Sequence, residues 1–268
     1  MKQEILTVVI ARRGINDEGK GKKHALKRLI EAVHTEYVWL RDDDIQPPAL
    51  SPNDMAEVLH RLHYPDLLIL PLRMTKGNGT LIERLQQAEY AAIQQLTIET
   101  AQRGRAVMCS GANLIVRRDR WLESYKDLHP ELPSGDDMFL LESFKRRGLS
   151  ITVWDAKEAE ASVTPCPDLP SLWRQRTRWA GKAARFTDKD IRRCGGIVLT
   201  ANILQLLFPP LVVIKFPVEY ALIRKRNTAS DDTVTLLTAL LLELVYPIYM
   251  LACLIGGLLK SRKAAPAF

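Results

Sequence analysis

The sequence predicts an α/β domain that is followed by a membrane region. Short β-branched and aromatic runs such as residues 5–10 and 36–40 alternate with helical patterns, which is typical of a mostly parallel sheet covered by helices on both faces. Towards the C-terminus, residues 195–214 carry no charge and residues 233–259 contain only one charged residue, Glu243. Because about 20 apolar residues suffice to cross a bilayer, we expect both stretches to be transmembrane helices.

The first elements are predicted from their apolar periodicity. Residues 5–10 and 36–40 are expected to be strands, and the apolar side chains of residues 22–33 recur at helical spacing. A Ser-Pro pair at residues 51–52 favours the start of a second helix. The apolar run at residues 66–73 predicts a third strand, so strands and helices alternate in this part of the chain.

The following elements complete the predicted sheet. A long helix is expected over residues 80–102, and two short strands over residues 106–110 and 113–118. A further helix ends near Gly148, a typical C-terminal cap, and a last strand follows at residues 149–155. Ligands of such sheets collect at the carboxyl ends of the strands, so polar residues at these ends are candidates for a functional site.

The positive charge is concentrated next to the apolar region. The net charge is +7, and residues 173–193 contain eight Lys or Arg against two Asp. We expect residues 169–194 to lie as a basic amphipathic segment on an anionic cytoplasmic leaflet, with membrane lipids rather than nucleic acid as the partner. A solvated basic helix is the alternative. The predicted organisation is an α/β domain at residues 1–168, this interfacial segment, and a membrane region at residues 195–268.

Cysteine usage and flanking charges predict the location of the chain. The four cysteines form no C-x-x-C pair, which argues against a zinc site or a disulfide framework and suits a reducing compartment. The N-terminal residues lack the apolar core of a signal peptide. Basic residues before and after the apolar region, Arg192, Arg193, Lys260 and Lys263, favour both ends in the cytoplasm. We expect a multi-pass protein of the cell membrane with a cytoplasmic α/β domain; an interfacial helix followed by a single span is the alternative.

Three carboxylates follow the second predicted strand, in the stretch YVWLRDDDIQPP. On an extended segment, the side chains of Asp42 and Asp44 point to the same side. Two such carboxylates suit a hard divalent cation, which can also bind phosphate oxygens. For this motif taken alone, a solvated acidic turn is the alternative.

Two further motifs contain groups that suit catalysis. SGDD, at residues 134–137, places an acidic pair at the start of a helix, where Asp137 acts either as a general base or only as a stabiliser of the helix N-terminus. In QRTRW, at residues 175–179, Arg178 offers a planar fork for a diphosphate and Trp179 a flat face for a sugar ring. Membership of the interfacial segment is the alternative for QRTRW.

Taken in order, these motifs resemble the processive type of family 2 glycosyltransferases, the group that includes cellulose, chitin, hyaluronan and poly-N-acetylglucosamine synthases. The resemblance extends from Gly21 to the C-terminus, and Q-x-x-R-W is its most specific element. GKGKKHAL resembles the family's lysine-bearing loop, and CSGANLIVRR resembles its acceptor-side loop. The resemblance implies a GT-A fold, which contains a Rossmann-like sheet, and a reaction that inverts the anomeric carbon.

The resemblance also implies a role for each matching residue. The residues expected to bind the nucleotide-sugar donor are Lys22, Asp42, Asp44, Gln175 and Arg178. Those expected to contact the acceptor are Gly111, Asp136 and Trp179. Asp42 and Asp44 would also bind Mg²⁺ or Mn²⁺, and Asp137 would deprotonate the acceptor hydroxyl. The implied partners are a nucleotide sugar, a glycan or lipid acceptor, and other synthase or export subunits.

The chain departs from this family at its N-terminus. Relatives begin with a strand similar to VSVIIPAYNE and a second strand with an aspartate for the nucleotide base; neither is present, so we expect an N-terminally truncated domain. Three other functions stay open. They are a non-catalytic membrane subunit that keeps the fold, a transferase that acts once on a lipid phosphate, and a nucleic-acid polymerase, whose GDD motif would lie on a hairpin rather than in the helical pattern found here.

Overall fold

The structure, a computed structural model, describes four stretches of the chain: residues 4–12, 20–132, 134–227 and 235–263. It divides into two compact units. The first unit consists of Met1–Arg73 and Thr97–Val163, and the second consists of Met74–Leu96 and Thr164–Phe268. Residues 74–96, which include the first part of a long helix, are grouped with the C-terminal region. The boundaries expected after residues 168 and 194 stay a prediction.

The described residues contain seven strands. They are β1 (Leu6–Ile10), β2 (Tyr37–Arg41), β3 (Leu67–Ile69), β4 (Leu72–Met74), β5 (Asn113–Arg117), β6 (Ile151–Val153) and β7 (Ala161–Val163). Five of them form one sheet in the order β1-β2-β5-β3-β6, and β4 and β7 form a second, two-stranded sheet.

The direction of β5 corrects the predicted topology. β5 lies in the centre of the sheet and is antiparallel to both of its neighbours, β2 and β3. β1 is parallel to β2, and β6 is parallel to β3. The prediction of a mostly parallel sheet is therefore wrong at its centre, and the sheet is mixed. The other four strands run in one direction, so their carboxyl ends lie along the same edge.

Nine helices accompany these strands in the described part of the chain. They are α1 (Lys22–Ala32), α2 (Pro52–Arg61), α3 (Leu81–Gln102), α4 (Arg118–Glu123), α5 (Asp136–Arg146), α6 (Leu169–Ala180), α7 (Lys189–Leu207), α8 (Val212–Asn227) and α9 (Leu236–Lys263). The Ser-Pro signal for α2 is confirmed: the Ser51 hydroxyl and the Asp54 carboxylate accept each other's backbone N–H groups, which forms a capping box before Pro52.

One buried amide holds the centre of the first unit together. The Trp39 indole donates a hydrogen bond to Asn113 Oδ1 at 2.9 Å, and Asn113 Nδ2 donates to the carbonyls of Pro71 and Ala159, each at 2.9 Å. The side-chain amide thereby uses both of its N–H donors and one of the two lone pairs of its oxygen. Buried polar groups are normally hydrogen-bonded in this way. The first residue of β5 is consequently fixed beside β2, and so is the loop that precedes it.

Two predicted strands differ from those in the structure. The run at residues 66–73 is divided into β3 and β4, because Pro71 lies between them and has no N–H group for the ladder. Residues 106–110 were expected to be a strand, but the structure gives them no strand conformation. They instead form the loop that leads to Gly111.

Within the second unit, α6 and α9 approach each other at two glycines. A Cβ atom added to Gly257 would lie 2.5 Å from the backbone nitrogen of Gly181 and 2.6 Å from the Thr177 carbonyl oxygen. One added to Gly256 would lie 3.0 Å from the Trp173 ring. Small residues of this kind allow close helix packing, so the glycines fix how α6 lies against α9.

The predicted first transmembrane span is wrong as a single helix. Residues 195–214 are divided between α7, a 3₁₀ turn at Pro209–Leu211, and α8, which carries Lys215. The Lys215 ammonium pairs with Glu243 of α9 at 2.8 Å. Within the described residues, one helix is long and apolar enough to cross a membrane, at Leu236–Lys260. Residues 228–234, in the connection between the two predicted spans, lie outside the described part.

Candidate active site

The candidate active site begins where β2 ends. Arg41 is the last strand residue, Asp42 follows it, and Asp43 and Asp44 form a turn. The prediction that Asp42 and Asp44 share one side of an extended segment is therefore wrong, because the chain bends after Asp42. Asp44 is exposed to solvent, while Asp42 Oδ1 lies 2.5 Å from the Lys22 ammonium.

Lys22 is placed by the start of α1. Gly21, the N-terminal cap of this helix, has a φ angle of 89°. Residues that carry a side chain rarely adopt this backbone conformation. The Lys22 ammonium contacts Asp42 and also lies 3.5 Å from Asp136 Oδ2. Although burial opposes its charge, Asp136, Asp42 and Asp137 outweigh that effect and raise the pKa of Lys22. Lys22 is consequently a permanent cation among three carboxylates.

Asp136 and Asp137 are the first two residues of α5. The cap is Gly135, with a φ angle of 90°, so neither aspartate is the capping residue. Asp137 Oδ1 accepts the Met138 N–H at 2.8 Å, and Asp137 Oδ2 accepts the Gly111 N–H at 3.4 Å. The Asp137 carboxylate is thus held at the helix N-terminus, where the helix dipole favours negative charge.

Gly111 lets the loop before β5 approach these carboxylates. A Cβ atom at Gly111 would lie 3.4 Å from Asp136 Oδ2 and 3.8 Å from the Lys22 ammonium nitrogen. Cys109, in the same loop, is buried and donates its thiol to the Asp137 carbonyl at 3.2 Å. Burial, together with the charges of Asp137 and Asp136, raises the pKa of the Cys109 thiol, so this thiol stays neutral. Cys109 therefore stabilises the position of the Asp137 backbone through this hydrogen bond.

The other predicted site residues lie on α6, in the second unit. Asp168 caps this helix by accepting the Ser171 N–H at 2.7 Å. Arg178 and Trp179 are exposed, whereas the Gln175 Oε1 atom is buried without a hydrogen-bond partner among the described residues. Of the predicted residues, the structure thus brings Lys22, Asp42, Asp136, Asp137 and Gly111 together, and it places Gln175, Arg178 and Trp179 together on one helix of the other unit.

The comparison with protein families identifies the chain. A family model described as "Glycosyltransferase like family 2" matches residues 4–182. The chain belongs to this family. All of the candidate site residues lie within the matched stretch, and the assignment supports a glycosyltransferase as the class of enzyme.

The chain is similar to a solved structure described as "Crystal Structure of a Mycobacterial Protein", with 19% sequence identity and a TM-score of 0.33. The similar region covers 63% of this chain and 53% of that one, so the chain spans about half the length of that protein. The comparison with curated proteins gives no match.

A metal at the carboxylates after β2 would have to be held jointly with a substrate. Within the described stretches, no group of three or more His, Cys, Asp or Glu side chains is arranged to hold a metal by itself. Mg²⁺, however, is commonly bound by one or two carboxylates together with substrate phosphates. Asp44 is exposed, and the Asp42 side chain keeps 33% of its surface exposed beside Lys22. Both supply the hard oxygen atoms that such a joint site needs.

The sequence analysis missed one further group of residues in the chain. Arg176, between the motif residues Gln175 and Arg178, forms a buried ion pair with Glu89 at 2.6 Å. Its Nε atom donates to the Tyr249 hydroxyl at 3.1 Å. Burial lowers the pKa of Arg176, but the Glu89 carboxylate more than reverses this and raises it. The sequence shows a second arginine inside the motif, but it does not indicate which residues contact that arginine.

Proposed function

We propose that this chain is the catalytic and membrane-attached part of an inverting glycosyltransferase that acts in polysaccharide synthesis. It transfers a sugar from a nucleotide diphosphate sugar to a hydroxyl of a glycan or lipid acceptor. The observation that carries the proposal comes from a domain of glycosyltransferase family 2: Lys22 contacts Asp42 and Asp136, and Gly111 lies against Lys22, Asp136 and Asp137. An ammonium, carboxylates and a close-approaching backbone are the groups that a diphosphate donor and an alcohol acceptor need.

On the donor side, Lys22, Asp42 and Asp44 bind the diphosphate of the nucleotide sugar. Mg²⁺ or Mn²⁺ bound by Asp42 and Asp44 would supply positive charge for the leaving diphosphate. Lys22 adds a second positive charge that does not depend on pH in the physiological range, as its raised pKa supports. Gln175 and Arg178 are proposed to hold the same diphosphate, on the basis of the family motif.

On the acceptor side, Asp137 acts as the general base. As the acceptor oxygen forms its bond to the anomeric carbon, the bond from that carbon to the diphosphate oxygen breaks, and the hydroxyl proton passes to the Asp137 carboxylate. The diphosphate leaves with the bonding electrons, and the attack from the opposite side inverts the anomeric carbon. Gly111 and Asp136 are proposed to contact the acceptor, and Trp179 to stack against its sugar ring.

The second unit attaches the enzyme to the membrane. α9 supplies a helix of sufficient length and hydropathy, and its exposed apolar side chains include Ile248 and Ile255. The basic residues of α6 and the start of α7 are proposed to face the anionic lipids of the cytoplasmic leaflet. A multi-pass arrangement, a cytoplasmic active site and association with other synthase or export subunits belong to the same proposal.

The proposed function is tested by a transfer assay on the full chain in lipid nanodiscs. UDP-, GDP- and dTDP-hexoses are offered with glycan and lipid-linked acceptors, and release of the nucleoside diphosphate is measured. We expect release that is abolished by excess chelator and restored by Mg²⁺ or Mn²⁺. Undiminished release in the chelator would refute the metal's role, and no release from any donor would refute the enzyme function. Sizing of the product then separates a polymer from a single transfer.

A further inference from the structure

Arg176 differs from the other arginines of α6 because its side chain is buried. The side chains of Arg176 and Glu89 are only 6% and 9% exposed, and their Nη2 and Oε2 atoms are 2.6 Å apart. The guanidinium also donates from Nε to the Tyr249 hydroxyl at 3.1 Å. One side chain of α6 is thereby joined to α3 through Glu89 and to α9 through Tyr249.

The same guanidinium lies against a residue of the family motif. The Arg176 Cζ atom lies 4.3 Å from the centroid of the Trp179 ring, which is three residues further along the same side of the helix. The Trp179 residue is 40% exposed. Arg176 therefore covers one part of the indole while another part remains open to solvent, and stacking of a cation on an aromatic ring favours one relative orientation.

Stability alone does not explain this arrangement. A buried ion pair gains little over well-packed apolar groups, because both charges lose their hydration. The Nη1 atom of Arg176 is moreover buried without a hydrogen-bond partner among the described residues, and such a donor lowers stability. What the guanidinium offers, and neither Lys nor Met can, is two directed donors and a flat face at the same time.

We propose that Arg176 is a positioning residue, which is held by Glu89 and Tyr249 and fixes the Trp179 ring for binding of the acceptor sugar. This inference rests on the proposed function, in which Trp179 is the stacking platform. It also gives α9 a second role, because the Tyr249 hydroxyl connects the orientation of that platform to the candidate membrane helix.

The experiment compares Arg176→Lys with a control, Arg174→Lys, which changes an exposed arginine of the same helix. Arg176→Lys keeps the charge opposite Glu89 but removes the flat face. We expect its acceptor KM to rise about 10-fold or more, since small misplacements of binding groups have effects of this size, with little change in donor KM. The control should leave both constants unchanged. Glu89→Gln, which keeps a hydrogen-bond acceptor but removes the charge, should change the acceptor KM in the same direction.

A second measurement reports the ring itself. The emission of Trp179 is obtained by subtracting the spectrum of a Trp179→Phe variant in each background, and thermal melts confirm that each variant is folded. We expect the Trp179 emission to change in Arg176→Lys and not in Arg174→Lys. Unchanged emission and acceptor KM in folded Arg176→Lys would overturn the proposal. If the wild type transfers no sugar, the proposed function fails, and the emission then decides separately whether Arg176 holds the ring.

Discussion

Lys22 is the residue on which the carboxylates of the candidate site converge. Its ammonium joins Asp42, which follows β2, to Asp136, which begins α5. Three chain segments that are distant in sequence are therefore connected through one cation. Since the side chains of Lys22 and Asp136 keep only 25% and 12% of their surface exposed, this link is stronger than an ordinary surface ion pair.

Replacing Lys22 by Met should lower the free energy of unfolding by about 1–2 kcal/mol, because two carboxylates lose their counter-charge. The pKa of Lys22 is raised in the folded protein, so its contribution is fully present below the unfolded pKa of about 10.4 and is lost only at higher pH. The loss of unfolding free energy in the variant relative to the wild type should therefore be the same at about pH 7 and about pH 9. A difference that shrinks towards pH 9 would contradict this, and Lys20→Met, at an exposed position, is the control.

The variant Asp137→Asn tests whether Asp137 is the general base or only stabilises the N-terminus of α5. The cap of α5 is Gly135, and an Asn side chain can still accept the Met138 N–H, so the stability should change by less than about 1 kcal/mol. If Asp137 takes the acceptor proton, kcat should fall about 100-fold or more while nucleotide-sugar binding survives. A thermal melt, a binding titration and a transfer assay measure these quantities. Asp119→Asn, in the first turn of α4, is the control, and normal transfer by Asp137→Asn would refute the base.

At the scale of the elements, two glycines determine how α6 meets α9. Gly257→Ala places a Cβ atom 2.5 Å from the Gly181 nitrogen, and because that neighbour is backbone, the helices must separate. We expect a loss of about 1–3 kcal/mol of unfolding free energy. Gly195→Ala in α7 is the matched control, since nothing lies within 4 Å of its Cβ position. Alanine there should stabilise the helix slightly, and equal melts for the two variants would contradict the packing.

The elements also show what the sequence could predict. α2 follows from the Ser51-Pro52 signal, and α5 ends beside Gly148, whose φ angle is 66°. The direction of β5 could not be predicted, because a strand buried on both faces is the same apolar run whether its neighbours are parallel or antiparallel, and those neighbours are distant in sequence. The division of residues 195–214 did have a signal, the Pro209-Pro210 pair, which a count of charged residues overlooks.

The motif residues of the candidate site could be predicted from the sequence, whereas the pair of Glu89 and Arg176 could not. Lys22, Asp42 and Asp137 belong to motifs, and a motif gives both the residue type and the expected chemistry. The pair of Glu89 and Arg176, 87 positions apart, could not be predicted, because a single sequence does not indicate which distant residues meet. The bend at Asp43 and Asp44 was not predicted, because the triplet after the strand was taken to be an extended segment.

At the scale of the whole molecule, the proposed attachment to the membrane depends on α9. Ile248 lies near the middle of the candidate span and is 63% exposed, so it is expected to face lipid. Ile248→Lys should weaken insertion by about 2.5–3.5 kcal/mol and reduce the fraction of the chain that stays with membranes after alkaline extraction. Leu81→Lys, at an exposed apolar position of α3, is the control. Equal retention of both variants would argue that α9 does not insert.

For the whole molecule, the proposed function requires that the carboxylates after β2 form the metal and diphosphate site. The measurement is Mn²⁺ binding by the full chain, followed by electron paramagnetic resonance with UDP or GDP present. We expect Asp42→Asn and Asp44→Asn each to weaken the binding by about 10-fold or more, because each removes a charged oxygen ligand. Asp43→Asn, at the exposed carboxylate between them, should bind Mn²⁺ as the wild type does. Equal Mn²⁺ binding by the wild type and all three variants would contradict the claim.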